Sequence, residues 1–452
     1  MRLSEFAQFV SIEKDVVAVF NSLLMRILYV DKKTAKLIKE LKITDDKTID
    51  FLFESYIYVN HAFEDEALYL RRRTEVCEFQ KKLHTMYLCL SADCNLACKY
   101  CYIEQNPCKG NVCGNMTMET AKNAIDKFKK EIEKYTTEDN VRLILFGGEP
   151  LMNINLVKPV VNYIRKVMPK VLLGIVTNGT LLTEDIAKFL KKNKCKITIS
   201  IDGPKCINDK NRIFANSSAS VYDVIGEKVK ILQKNNIPFD FSTTISEDVL
   251  KNQDIANDYI KEFKPQGVNY NLLHYSDDKE GEKKCVDFYG RMAKFSLENY
   301  DKLKELSTQN NFIEQGLDMV KNRVFRHTTC VAVGLNVVDV KFNGDVCVCS
   351  ADIKTKNHVI GNVNTMDFEE MLNNPELSFF INSAAIKRPQ CRSCEAIFVC
   401  GGGCPYQAKA LYGSSENLDK PICNYSKTIL KWYLKKIYEE RKPYLNIENK
   451  EK

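Results

Sequence analysis

The chain lacks any apolar run long enough to cross a bilayer. Its richest, residues 16–30, is broken by Asn21, Ser22 and Arg26, and no secretion signal precedes it. A long basic stripe is missing too. The 66 basic and 59 acidic residues leave a net charge of +7 spread along the chain, so nucleic acid is not an expected partner. No membrane association is expected either, and the protein reads as cytoplasmic. Tryptophan occurs once, at Trp432, within a basic amphipathic stretch over 429–441 whose packing against a domain is explanation enough. Cysteine is the residue in surplus, with 18 in a chain of 452. That length implies two or three domains, and a hydrophobic content of 44% is enough for a real core.

In a chain of this size without a secretion signal, many cysteines point to metal or redox chemistry rather than disulfides. They fall into two groups, at 94–101 and at 330–423. Cys94, Cys98 and Cys101 have the spacing C-x-x-x-C-x-x-C, with Tyr100 before the last. A loop so spaced wraps three corners of a small iron–sulfur cube and leaves one iron without a protein thiolate. Zinc sites usually pair two-residue knuckles and close with four ligands. A buried or zinc-bound set is the alternative reading of the spacing alone.

This motif resembles that of the radical S-adenosylmethionine (radical SAM) enzymes. The resemblance implies a [4Fe–4S] cluster on Cys94, Cys98 and Cys101, its unique iron chelated by S-adenosylmethionine. One-electron cleavage of the sulfonium then yields a 5′-deoxyadenosyl radical that abstracts a hydrogen atom.

Taken in order, residues 1–80 read as a small unit. A hairpin over 9–31 turns at Asn21 and Ser22; helices follow over 33–41 and 46–55, then a short strand at 56–60. The pattern resembles winged-helix modules that bind leader peptides as an added strand; a structural cap is the other reading. Arg71, Arg72 and Arg73 suit an acidic leader or simply a solvated face. Residues 85–306 alternate strands (85–91, 141–147, 172–177, 196–201, 238–245, 268–274) with helices (118–135, 156–168, 184–192, 221–235, 253–263, 286–306). Six such repeats predict an α/β fold, a partial (β/α)6 TIM-like barrel with its chemistry at the C-terminal strand ends.

Further motifs fall at those ends. Gly147, Gly148, Glu149 and Pro150 close the second strand, Asn178 the third, Ser200 and Asp202 the fourth, and Thr243 and Thr244 the fifth, where they are expected to line the cavity. Within the resembled family such segments surround the cofactor. The resemblance therefore implies cofactor contacts at Tyr100, Gly147, Gly148, Glu149, Asn178, Ser200 and Asp202, with Arg212 pairing the cofactor carboxylate through its bidentate fork.

Residues 307–452 carry Cys330, Gly344 and Cys349, then Cys391, Cys394, Cys400 and Cys404, and last Cys423. This pattern resembles the seven-cysteine SPASM domain, which binds two further [4Fe–4S] clusters. By that resemblance Cys330, Cys349 and Cys404 hold the first, and Cys391, Cys394, Cys400 and Cys423 the second. The first lacks a fourth ligand; Cys347 is a candidate, or the site is open to a substrate thiolate. Cys108 and Cys113 follow the radical-cluster loop, where an approach to substrate is the lesser reading, and Cys89 and Cys195 read as core residues.

SPASM-bearing members mostly modify peptides. The expectation is a maturase that cross-links a ribosomally made precursor peptide carrying a leader, with thioether favoured and carbon–carbon possible. A flavodoxin- or ferredoxin-type protein would donate electrons. The alternatives are an anaerobic sulfatase-maturating enzyme and a non-catalytic metal-stabilised protein. Sulfatase maturases place an aspartate, thought to be the base, where this chain has Ser350. A binding protein would not need the strand-end motifs.

Overall fold

The protein is described here as a computed structural model covering residues 1–101, 103, 114–273, 281–328 and 330–448. Strands β1 (Ala7–Ser11), β2 (Val16–Asn21) and β3 (Ile27–Asp31) form an antiparallel meander, one strand more than the expected hairpin. Helices α1 (Lys32–Lys39) and α2 (Asp46–Glu54) follow, each opened by an aspartate, Asp31 or Asp45, whose carboxylate accepts an N–H of the first turn. The period-2 pattern of β2 serves two cores. Val17 and Val19 pack on Ala35, Ile38 and Leu52, while Ala18 and Phe20 point into the main body. With both faces covered, only the edges of this small sheet remain for added strands.

Helix α3 (Ala62–Phe79) was not anticipated. Its sequence is charged almost all round, so the apolar periodicity that marks a helix is weak. It carries Arg72, which donates to the Leu23 carbonyl and pairs with Glu75, so the arginine triplet is partly committed internally.

The main sheet begins with β4 (Thr85–Ser91), followed by β5 (Arg142–Gly147), β6 (Leu172–Thr177), β7 (Lys196–Ser200), β8 (Phe239–Ile245) and β9 (Gly267–Leu272). All six are parallel and adjacent in chain order. The last expected strand extends to His274, which lies outside the described residues. Helices connect the strands, including α4 (Met118–Ile132), α5 (Ile154–Val167), α6 (Glu184–Lys192) and α7 (Val221–Lys234). Thr117, Thr183 and Ser220 cap three of these by accepting a backbone N–H. The expected helix over 253–263 is regular only at Asp258–Phe263; Asn252 and Asn257 favour turns ahead of it.

Burial alternates along these strands. Leu143 and Leu145, Ile197 and Ile199, and Phe239 and Phe241 are buried beneath the helices. Tyr87, Phe146, Thr198, Ser200, Ser242 and Thr244 are only half covered and line the opposite face. Thr243 is a correction: it is buried and bonds to Tyr259 on the helical side, so Thr244 and Ser242 line the open face instead.

The sheet does not close. The C-terminal third extends both of its edges, a feature not read from the sequence. After α8 (Glu282–Glu305), β10 (Gln309–Asn310) pairs with β9, while β11 (Val337–Val340) lies parallel to β4 and leads into β12 (Asp345–Cys347) and β13 (Gly361–Asn362). The sheet thus reaches ten strands. Helix α9 (Lys420–Glu448) packs along α8, with Trp432 edge-on to Tyr300 at 5.0 Å.

The N-terminal unit docks on this C-terminal region. Tyr29 donates to the Leu434 carbonyl at 2.9 Å and Tyr69 to that of Ile386 at 2.6 Å. Arg392 pairs with Glu5 and Glu66 and stacks over Tyr69. Arg392→Ala should cost about 1 kcal/mol, the usual worth of half-exposed pairs. It should also speed proteolytic release of the first 80 residues, read by limited proteolysis.

Candidate active site and cysteine centres

Residues 92–101 follow β4 without regular structure, so tertiary hydrogen bonds must hold them. Ala97 and Lys99 N–H groups donate to the Ile213 and Asn211 carbonyls at 2.8 and 2.9 Å, and Ala215 N–H donates to the Asn95 carbonyl at 3.0 Å. Asn95 also accepts from Asn178 at 2.8 Å and donates to Thr180 at 2.9 Å. The cysteine loop is therefore stitched to the ends of two other repeats.

Gly147 and Gly148 lie where their backbone crosses this loop. A Cβ on Gly148 would sit 2.5 Å from the Asp93 carbonyl oxygen, and one on Gly147, whose φ is +141°, 2.2 Å from that of Ser91. Glycine is required at both. The next residue, Glu149, is fully buried and takes hydrogen bonds from Thr177 Oγ1, Asn178 N and Leu151 N at 2.7, 2.7 and 3.0 Å. Burial pushes its pKa up to about 7, against those three bonds. Its carboxylate knits two strand ends together and faces the protein interior.

Asp202 is likewise buried. It accepts two hydrogen bonds from Arg212, both at 3.1 Å, one from Tyr100 and one from Thr244 N at 3.0 Å. Arg212 also lies over the Tyr100 ring and points Nη1 at Cys98 Sγ, 4.0 Å away. Expected to face a cofactor carboxylate, Arg212 instead has two of its nitrogens on Asp202. Ser200 ends β7 half-covered beside Ser242. Leu96 N and Asn178 Nδ2 point at Cys94 Sγ, at 3.4 and 3.8 Å.

Cys98 and Cys101 lie near enough to Cys94, and Cys101 to Cys98, that their thiolates would raise the neighbouring thiol's pKa. The same holds within Cys330, Cys349 and Cys404, and within Cys391, Cys394, Cys400 and Cys423. The expected cysteines thus lie as neighbours in three separate groups. Burial pushes the thiols of Cys94, Cys391, Cys404 and Cys423 up to about 12. A bound metal ion would take the place of those protons. Among the described residues no three such side chains converge on a single point. Donors aimed at Cys94 and Cys98 suit thiolates, so the residues fit the clusters. Cys347 stands apart from the first auxiliary set, its thiol directed at the Asp339 and Cys349 carbonyls. Cys108 and Cys113 lie outside the described residues.

Two features escaped sequence reading. Asp352 accepts from Tyr406, which also contacts His358 Nδ1 at 2.6 Å within a cage of Phe379 and Phe380. Asp339 is a buried carboxylate in β11. Its signal was available: a lone acid in the run Val337, Val338, Asp339, Val340.

Comparison with known proteins agrees with this geometry. Residues 88–258 match the Radical SAM superfamily, and residues 330–395 match an iron-sulfur cluster-binding domain, SPASM. The chain is an enzyme of the radical SAM superfamily that carries a SPASM domain, with [4Fe–4S] clusters and S-adenosylmethionine as its cofactors. It is 27% identical over 414 residues to the radical SAM cyclopropyl synthase TigE of Paramaledivibacter caminithermalis, covering 86% of this chain and 82% of TigE. Identity to a cysteine-type anaerobic sulfatase-maturating enzyme of Clostridium novyi is 25%, over 79% of this chain and 96% of that enzyme. Among solved structures, Streptococcus suis SuiB bound to its precursor peptide SuiA shares the fold at TM-score 0.54, with 14% identity over 93% of this chain and 99% of SuiB. Among the described residues, no helix is long and apolar enough to cross a membrane.

Each cysteine set should load independently. Three four-iron clusters predict roughly 12 iron per chain, falling to about eight in Cys98→Ala. Gly148→Ala should show the same loss because its Cβ displaces the cysteine loop; iron analysis after anaerobic reconstitution checks both.

Proposed function

We infer that the chain matures a ribosomally made precursor peptide, removing a hydrogen atom from an unactivated carbon and joining that carbon to a sulfur or another carbon, with a thioether favoured. The observation that carries this reading is the three-thiol set of Cys330, Cys349 and Cys404, from which Cys347 is turned away. An iron with an open position can take a substrate thiolate. Similarity to TigE, and in fold to SuiB with its peptide, supports a peptide-modifying role. The leader would add as a strand to an edge of the β1–β3 sheet. The electron donor would be of flavodoxin or ferredoxin type, and the cell compartment the cytoplasm.

When bound at Cys94, Cys98 and Cys101, the cluster and S-adenosylmethionine supply a carbon radical able to abstract hydrogen. The chain's own residues position it. Asn178 and Arg212 orient the cysteines and polarise their sulfurs. Glu149 and Asp202 fix the strand ends without entering the cavity, while Ser200, Ser242 and Thr244 provide a polar floor. Gly147, Gly148 and Tyr100 complete the wall around the cofactor.

Formylglycine formation is the second reading, because the Clostridium novyi relative aligns over nearly its whole length. Ser350, in place of that family's aspartate, speaks against it.

The test is anaerobic incubation with S-adenosylmethionine, a strong reductant and a cysteine-bearing peptide encoded beside the gene. The expected outcome is 5′-deoxyadenosine together with a peptide lighter by two hydrogens and resistant to thiol alkylation. An aldehyde on the peptide would move the enzyme to the second reading. Absence of deoxyadenosine would overturn both.

A further inference from the structure

Asp339 is 1% exposed, yet no basic side chain neutralises it by a direct contact among the described residues. Its Oδ1 accepts one hydrogen bond, from Ser350 Oγ at 2.6 Å. No donor among the described residues reaches Oδ2. A buried carboxylate without a cationic partner costs stability, and such groups concentrate at functional sites.

Its place in the fold says which site. Asp339 pairs with Tyr87 in register across β11 and β4, so the two side chains share a sheet face. Tyr87 lines the open face and meets Phe146 edge-on at 5.3 Å. Phe146 belongs to a small cluster with Cys89, Ile103, Cys101 and Ile353. That cluster joins the loop of the radical-site cysteines to the segment just after Cys349. Asp339 therefore stands at the seam between the Cys94–Cys98–Cys101 set and the Cys330–Cys349–Cys404 set.

We propose that Asp339, held by Ser350, accepts the proton that the peptide substrate loses when its new bond forms. The proposal rests on the peptide-maturase reading above. The peptide's C–H hydrogen leaves as an atom, reducing the S-adenosylmethionine-derived radical to 5′-deoxyadenosine. The partner S–H or C–H bond breaks, its proton passes to Asp339 Oδ2, and the new bond forms to carbon. One electron remains and leaves to an acceptor of the iron–sulfur class. Ser350 is a positioning residue: its hydroxyl fixes Oδ1 and leaves Oδ2 toward the cavity.

The surroundings suit an acceptor. Burial pushes Asp339 up to about 7, with Asp352 adding to the rise and Ser350 and Lys341 opposing it. Tyr87 and Cys89 face it from β4, Cys347 from β12, and Cys330 lies within electrostatic range. Burial holds Tyr87, Cys89 and Cys347 neutral, so the charges near Asp339 are Lys341, Asp352 and, once it ligates a cluster, the Cys330 thiolate.

The test compares wild-type holoenzyme with Asp339→Asn and Asp339→Glu. In Asp339→Asn, cross-linked peptide should fall about 100-fold, the usual worth of a general base, while 5′-deoxyadenosine formation stays within about threefold. Asp339→Glu should restore part of the product. Wild-type product formation should rise with pH through about 7 as the carboxyl ionises, and this limb should be missing in the asparagine variant. Infrared difference spectra of wild type minus Asp339→Asn, without peptide, supply a readout independent of turnover. They should show a carboxylic acid C=O band that is lost on the same rise in pH. Equal product and the same pH profile in Asp339→Asn would overturn the proposal while leaving the maturase reading intact. A carboxyl that stays protonated well above neutral pH would overturn it even if no peptide product is found, because it could accept no proton. Loss of iron in Asp339→Asn, with the asparagine-minus-glutamate difference gone, would assign Asp339 a purely structural role and overturn it too.

Discussion

The active-site loop depends on one buried ion pair. Asp202 and Arg212 are both nearly inaccessible, and each is bound through more than one atom. Removing one partner of such a pair typically costs 3–5 kcal/mol, because the other charge is stranded. Here the pair also sets geometry. Arg212 sits between Asn211 and Ile213, whose carbonyls accept the Lys99 and Ala97 N–H bonds, and Asp202 takes the Tyr100 hydroxyl. The cysteine loop has no helix or strand of its own, so its thiols stand where this pair and the backbone bonds around it put them. Burial raises the cysteine pKa values while Arg212 lowers that of Cys98. The same guanidinium thus serves position and electrostatics.

A second constraint comes from the sheet edges. An unpaired strand exposes a row of backbone donors and acceptors that must be satisfied or covered. Here β4 is satisfied by β11 and β9 by β10, both from the C-terminal third. The pairing brings β11 against the strand that feeds the radical-site loop, and β12 then delivers Cys349. Register is stringent in such a ladder, since a one-residue slip would turn Asp339 to the other face. The distance between the two three-cysteine sets is therefore fixed by backbone hydrogen bonding rather than by a flexible linker.

Much of this was legible in the sequence, for identifiable reasons. Parallel strands with helices over one face give a strong period, so β4 to β9 fall close to the expected ranges. The short spacing of Cys94, Cys98 and Cys101 marks one set locally, whereas the two interleaved sets of the C-terminal third were read only through the resemblance to the SPASM pattern. What escaped was set by tertiary context. Helix α3 has little amphipathic period, because it buries only Leu68, Tyr69 and Val76 among the apolar core, together with the polar Asp65, over its 18 residues. Thr243 and Thr244 look alike in sequence, and only the sheet register decides which meets Tyr259. Arg212 carried the right chemistry, but its partner Asp202 becomes visible only when two strand ends are brought together. The pairing of β11 with β4 links residues some 250 apart, beyond any local pattern.

The three cysteine sets differ in a way that orders their roles. Cys391, Cys394, Cys400 and Cys423 would fill every iron of a cube, and the Cys391–Cys394 turn lies under the docked N-terminal unit, gripped through Arg392 and the Ser393 carbonyl. A cube whose irons are all bound by thiolates exchanges electrons without an open position for a ligand. Cys101, of one three-cysteine set, instead packs in a small cluster with Ile103 and with Ile353, which follows Cys349 of the other by four residues. On the thioether reading proposed above, chemistry at carbon and at sulfur would need two sites of incomplete ligation within reach of one peptide. The complete set, on the far side of the second cysteine segment, would then serve electron transfer, with the N-terminal unit resting against it.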